Sequence, residues 1–356
     1  MTTLNELLRN ELQWRNQLLN LILELLVPII KSQANNRFHI QMTGFHTFLQ
    51  DKILKTTSKK ELLIKLQLEY EEFHSLEPLT LDRWIKGRTV PSLYKQLLIV
   101  KLYQCFPAYL ESFQEAKIST SDRRIFNQFL ARLDSPYHRI LSSQENEYLF
   151  HRQGKYSDLY LHVESYVGKI GMLESISDQF HYANLYTDLL SISSKDSKNL
   201  ESFLLMQHGF NIHSSCANFA GDKLEYSAQN CITVTLTYFR SSEHFFLLCG
   251  LFANLVLEHH PKKKRVIILS RGIEGLMLSE ALGGNLIRSI PDEMYGNLYI
   301  TEFDFIRLFS NPLIINTAKR YARVYQVHFD HLLTTPLKLS SLPNDGDDSK
   351  EESCYG

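Results

Sequence analysis

The feature that most limits the fold is a change of apolar rhythm near Ser135-Pro136. Upstream, apolar residues recur at the three- and four-residue spacing of helices, over 44–55, 58–75, 79–86, 91–105, 107–116 and 121–133. Downstream, short runs rich in β-branched and aromatic residues alternate with helical ones. Leu159–Val163, Ile232–Phe239, Val266–Leu269 and Leu298–Phe303 read as strands, and Phe245–Leu257 and Ile273–Leu282 as helices. The expected fold class is α+β, an all-α N-terminal domain followed by a mixed α/β C-terminal domain. The expected limits are a long amphipathic helix over 1–36, the helical domain over 37–133, the α/β domain over 134–336 and an acidic tail over 337–356.

Composition narrows the function classes. With 44% hydrophobic and 22% charged residues in 356, the chain can bury a core, and a disordered or collagen-like protein is excluded. The formal net charge is -1, so any nucleic-acid surface has to be a local patch. The cysteines, Cys105, Cys216, Cys231, Cys249 and Cys354, contain no CxxC pair and read as free thiols of a reducing cytoplasm. The order of a secretory signal is not present in residues 1–16. Leu18–Ile30 is interrupted by Glu24 and Pro28, and Phe245–Leu257 is well short of the about 20 residues that cross a bilayer. Both read as buried helices, and no membrane partner is expected. The leucine-rich stretch 2–32 must pack on the rest of the chain or on a second copy, and 344–352 reads as disordered.

The densest signal lies between Glu77 and Leu93. Pro78 suits the first helical position, where its missing N–H costs nothing. Leu81, Trp84 and Ile85 fall on one face, while Thr80, Asp82, Arg83 and Lys86 project elsewhere. Gly87 supplies the left-handed stop, and Pro91 opens a helix striped with Leu93, Leu97, Leu98, Val100 and Leu102.

The string TLDRWIKGRTVPSLYKQLLIVKLY resembles the recognition helix and following helix of Cro/repressor-type (XRE-like) helix-turn-helix regulators. Ser58-Lys59-Lys60-Glu61-Leu62-Leu63-Ile64-Lys65-Leu66 is similar to the first helix of that motif. Gln67–Leu76 makes the span between them longer than in the compact family pattern. The resemblance implies a bacterial, cytoplasmic, homodimeric transcription regulator whose partner is double-stranded DNA. It puts residues 78–86 in the major groove. Thr80, Asp82 and Arg83 would then meet base edges, and Lys86, Arg88, Ser92, Tyr94 and Lys95 the phosphates. Between Asp51 and Lys101 ten Lys/Arg stand against seven Asp/Glu, a modest local excess.

The order strand, helix, strand, helix, strand, strand over 231–303 is similar to the second half of the GNAT acetyltransferase fold. That fold cradles a pyrophosphate at a helix N-terminus with spaced glycines. Here the position reads Phe239-Arg240-Ser241-Ser242-Glu243-His244, without glycine and with a glutamate in the first turn. The resemblance therefore implies a domain for dimerisation or for sensing a small-molecule ligand, and no cofactor is expected.

His208-x4-His213-x2-Cys216 carries ligand-type residues but lacks the tight four-ligand spacing of a zinc site, so no metal is expected. His259-His260 with Lys262, Lys263, Lys264 and Arg265 reads as a solvated connecting loop between apolar segments, and no catalytic set stands out. Two other readings stay open: an acyltransferase-like enzyme with a helical accessory domain, and a protein-interaction or secreted effector protein.

Overall fold

The computed structural model of the chain describes residues 44–134, 146–167, 185–195, 200–211, 225–291 and 296–342. The long helix expected over 1–36 and the residues beyond 342 lie outside them, as do His213 and Cys216.

Among the described residues the first helix is α1 (Phe45–Phe48), which continues into a π-turn at Leu49–Ile53. Then come α2 (Lys59–Glu69), α3 (Pro78–Ile85), α4 (Leu93–Tyr103), α5 (Phe106–Ser112) and α6 (Thr120–Leu133). Their starts are written locally. Ser58, Ser92 and Ser119 each accept the backbone N–H three residues on, relieving an orphan donor of the first turn. Gly87 sits at φ +67°, and a Cβ there would meet the His46 ring at 3.0 Å, so the stop after α3 requires glycine on two counts. The expected single helix over 58–75 is instead α2 followed by a 3-10 turn at Glu71–Phe73. Phe73 is wholly buried against Trp84, so the turn takes up the extra length while remaining in the core.

The α/β part begins with β1 (Glu147–Lys155), α7 (Tyr156–Val167), β2 (Tyr186–Ser194) and β3 (Leu200–His208). The minor pair β4 (Phe210–Asn211) and β5 (Glu225–Tyr226) forms its own two-stranded sheet. Next are β6 (Cys231–Tyr238), α8 (Ser242–His259), β7 (Arg265–Arg271), α9 (Ile273–Ala281), β8 (Asn285–Ile290) and β9 (Leu298–Asp304). The chain then runs through α10 (Phe305–Phe309), α11 (Pro312–His328) and β10 (Leu337–Lys338). The main sheet has the order β10-β1-β2-β3-β6-β7-β9-β8, and its parallel pair is β6–β7, joined by α8. The protein is α+β, and the strand-helix-strand-helix-strand-strand order expected for 231–303 is the order found.

Two expectations are corrected. Leu159–Val163 is helical, inside α7: Tyr156, Leu159, Tyr160 and Val163 are buried at helical spacing, whereas Leu161 is 67% exposed. Residues 337–342, assigned to the tail, add the edge strand β10 to β1 and a 3-10 turn, because Leu337, Leu339 and Leu342 pack on the core.

One apolar cluster runs from Phe48 and Trp84 through Leu247 and Val256 to Phe303 and Tyr325, so the expected boundary near 134 is not a break in the core. A second cluster, Tyr156 to Ile300, fills the opposite sheet face under α7. Helices α8 and α11 close on each other at Gly250, where a Cβ would meet the Tyr321 ring within 2.9 Å. Asn254 ties them by donating to the carbonyls of Gly250 and Ala318, both at 2.8 Å. The helical half is held to the sheet side by Asn316, which exchanges two hydrogen bonds of 2.9 Å with the Ala116 backbone.

Candidate functional site

Helix α3 is anchored by Leu81, Trp84 and Ile85, all nearly buried, and its other flank faces solvent. Arg83, Lys86 and Arg88 are exposed, and Arg83 and Arg88 stand in no ion pair among the described residues. Asp82 is engaged by two lysines. Its carboxylate takes Lys59 of α2 at 2.7 Å on one oxygen and Lys86 on the other, tying the two helices of the corner together. Hydrogen bonds from Lys59 and Lys86 bring its pKa down to about 2. Thr80 is partly exposed, and beside it Leu79 is 57% exposed. Leu79 is outside the predicted set, and its signal in the sequence is an apolar residue off the buried stripe at a helix start.

The remaining members of the predicted set have duties of their own. The Ser92 hydroxyl caps α4 by accepting from the Lys95 backbone. The Lys95 ammonium lies 5.7 Å from the Phe73 ring centre. Tyr94 donates to Glu72 at 2.8 Å, and burial together with that bond pushes its pKa up to about 12. It lines a cavity of about 250 Å³ with Lys101, Lys264, Arg265 and Asp304, in the seam between helices and sheet. Leu79, Thr80, Arg83 and Arg88 thus have no side-chain bond or ion pair among the described residues, while Lys86 is exposed but paired with Asp82.

A second constellation lies inside the sheet domain. On neighbouring strands Gln153 of β1 stands opposite Asp188 of β2, and Asp188 opposite Met206 of β3. Side chains alternate along a strand, so His151, Gln153, Asp188 and His208 share one face. Oδ1 of Asp188 accepts from His151 Nε2 at 2.9 Å and from Gln153 Nε2 at 2.8 Å, while Oδ2 meets His208 Nε2 at 3.1 Å. Burial works to raise the Asp188 pKa, but these three hydrogen bonds outweigh it and hold the carboxyl well below its usual range. His260, the residue that ends α8, brings its ring to 4.5 Å from that of His208, edge to face. Burial, then the neighbouring His208 and Lys263, bring its pKa down to about 4, so it is neutral at pH 7. The 259–265 segment is therefore not simply a solvated loop: His260 faces inward and Lys263 is buried, its ammonium bound to the Ala228 carbonyl.

A third network joins Ser202 Oγ to His244 Nδ1 at 2.8 Å and His244 Nε2 to Glu147 Oε2 at 3.1 Å. The residue types suggest a hydrolytic relay. Ser202, however, is fully buried and already accepts from the Arg240 amide at 3.0 Å, so the network holds β1, β3 and α8 together. Nearby, the N-terminus of α8 is satisfied from within. The Ser242 amide donates to Asp134 at 2.9 Å and the His244 amide to Ser241 at 3.2 Å. Phe126 and Phe129 of α6 pack against Phe245 above it, at 5.9 and 5.2 Å between ring centres.

Among the described residues, no helix is long and apolar enough to cross a membrane. No family model matches the sequence, and the search of curated proteins returned no match. Among solved structures the chain is similar to an acetyltransferase (GNAT family) from Bacillus anthracis, with 9% identity and a TM-score of 0.23 over 44% of this chain and 94% of that chain. A likeness of that degree carries no argument about function.

Proposed function

We propose that the chain is a sequence-specific DNA-binding regulator whose helix α3 reads the major groove. The observation that carries the reading is a short helix fixed by Leu81, Trp84 and Ile85, with Arg83, Lys86 and Arg88 left exposed on and just beyond it. A helix held in this way offers its N-terminal polar residues to base edges. Arg83 would bind guanine in bidentate fashion, Thr80 would bond a neighbouring base, and Leu79 would touch a thymine methyl. Lys59, Lys86 and Arg88 would meet phosphates and set the register without reading sequence. Asp82 would hold Lys59 and Lys86 side by side on one carboxylate rather than meet a base itself.

In this reading the protein acts in the cytoplasm as a homodimer on a two-fold symmetric operator, with half-sites about one helical turn apart. The sheet domain dimerises or senses a ligand. Selecting bound duplexes from a random library with the full chain tests it: enrichment of a paired motif is expected, and no enrichment over input would refute it.

The second reading is an acyltransferase, favoured by the strand order around β6–α8–β7. Against it stands Asp134, whose carboxylate takes the α8 amide that a pyrophosphate would need, under a lid of phenylalanines from α6. A nearby carboxylate also repels phosphate. Acetyl-CoA is accordingly expected to leave the thermal midpoint unchanged, and a clear rise would favour the enzyme.

A further inference from the structure

Asp188, His208 and His260 come from three separate elements, β2, β3 and the end of α8, yet one ligand atom from each lies within 4.8 Å of the others. The chemistry of the set is that of a transition-metal site. Two imidazoles and one carboxylate suit borderline divalent ions, whereas calcium and magnesium sites are built from oxygen ligands. Zinc–ligand distances of about 2.0–2.1 Å imply ligand atoms about 3.3 Å apart in a tetrahedron. Asp188 Oδ2 and His208 Nε2 already stand at 3.1 Å, so turns of the His208 and His260 rings toward a shared centre are the adjustment ligation requires.

Two further observations separate this cluster from an ordinary buried polar network. The carboxylate is positioned from behind: His151 and Gln153 both donate to Oδ1, leaving Oδ2 to face the imidazoles. Second-sphere bonds of that kind orient ligands in metalloproteins. His260, in contrast, has no hydrogen bond through its ring among the described residues, although its ring contacts His208. A structural network would be expected to use that imidazole. His260 also lines a cavity of about 300 Å³ with Gln104, Glu258, His259, Lys262 and Lys263, so its ring is not enclosed on every side.

We propose that Asp188, His208 and His260 bind a divalent transition-metal ion of the zinc and cobalt type, with a solvent molecule as the fourth ligand. The ion would replace the hydrogen bond between Asp188 Oδ2 and His208 Nε2, the Nε2 proton passing to solvent, and would crosslink β2, β3 and the C-cap of α8. The proposal does not depend on DNA binding and is read on the protein alone.

The test is a titration of the chelator-treated full chain with Co²⁺. One equivalent should give a visible d–d absorption that Zn²⁺ abolishes, together with a raised thermal midpoint. His260→Ala, at a half-exposed position, should lower Co²⁺ affinity at least about tenfold, and Gln153→Leu should lower it by a similar factor through the misplaced carboxylate. Should His260→Ala fold poorly, His260→Gln serves in its place. No stoichiometric Co²⁺ binding overturns the proposal, and so do His208→Ala and His260→Ala variants that bind as the parent does.

Discussion

Single residues decide whether α3 can serve as a reading head. Gly87 ends the helix at a positive φ with the His46 ring packed against its α-carbon, so Gly87→Ala is expected to cost about 1–2 kcal/mol of backbone strain, plus the displacement of His46. Denaturant unfolding of the variant measures it. Trp84→Ala, which empties a site between Phe73 and the α2–α3 corner, should cost about 3–5 kcal/mol. Asp82 gives a pH signature. Its pKa is about 2, below the ordinary carboxylate value, so its ion pairs contribute fully above about pH 4 and are lost as pH falls through the folded-state value. The stability gap between parent and Asp82→Asn should therefore narrow as the pH is lowered from about 5 toward 3. A gap that widens on acidification would contradict the assignment. At this scale the sequence was informative about α3 itself, because Pro78, Trp84 and Gly87 act through local geometry. It was silent on Asp82 bridging to Lys59, a contact between helices whose separation in the chain is set by a turn of unpredictable length.

Between elements, legibility followed how each segment is buried. Helices α2 to α6 were readable because each carries apolar residues at helical spacing and has a serine cap or a proline in its first turn. The strands β6, β7 and β9 were readable from their unbroken β-branched and aromatic runs. Strands β2 and β3 were missed: they are buried on both faces yet carry Asp188, Ser191, Ser202 and Gln207, so neither alternation nor a continuous apolar run marks them. Asp188, Ser191 and Ser202 bond to partners on other strands and on α8, which no single segment reveals. The same logic hid the Asp188 cluster. Spacing drew attention from His208 toward His213 and Cys216, while the fold brings His260 to His208 from the far end of α8. The α8–α11 contact makes a separate prediction. Gly250→Ala places a methyl into the Tyr321 ring and should destabilise by about 1–3 kcal/mol through overpacking, seen as a lower thermal midpoint.

For the whole molecule, the continuity of the core from Trp84 to Phe303 means that the helical corner and the sheet unfold together rather than as two beads on a string. A change in the sheet, such as ion binding at His260, can therefore be felt at α4, whose Lys101 donates to the Lys263 backbone at 3.1 Å. Net charge near neutrality leaves the exposed cations of α3 to act locally, so DNA binding should weaken with rising salt, in proportion to the few phosphates contacted. The central claim is that α3 reads base edges through Arg83. The measurement that tests it most directly is the affinity of parent and Arg83→Ala for a selected duplex and for an unrelated one, in the same buffer. A loss of about 1–3 kcal/mol on the selected duplex, with unrelated DNA bound as before, is the predicted result. Equal affinity of the two proteins for both duplexes would contradict it.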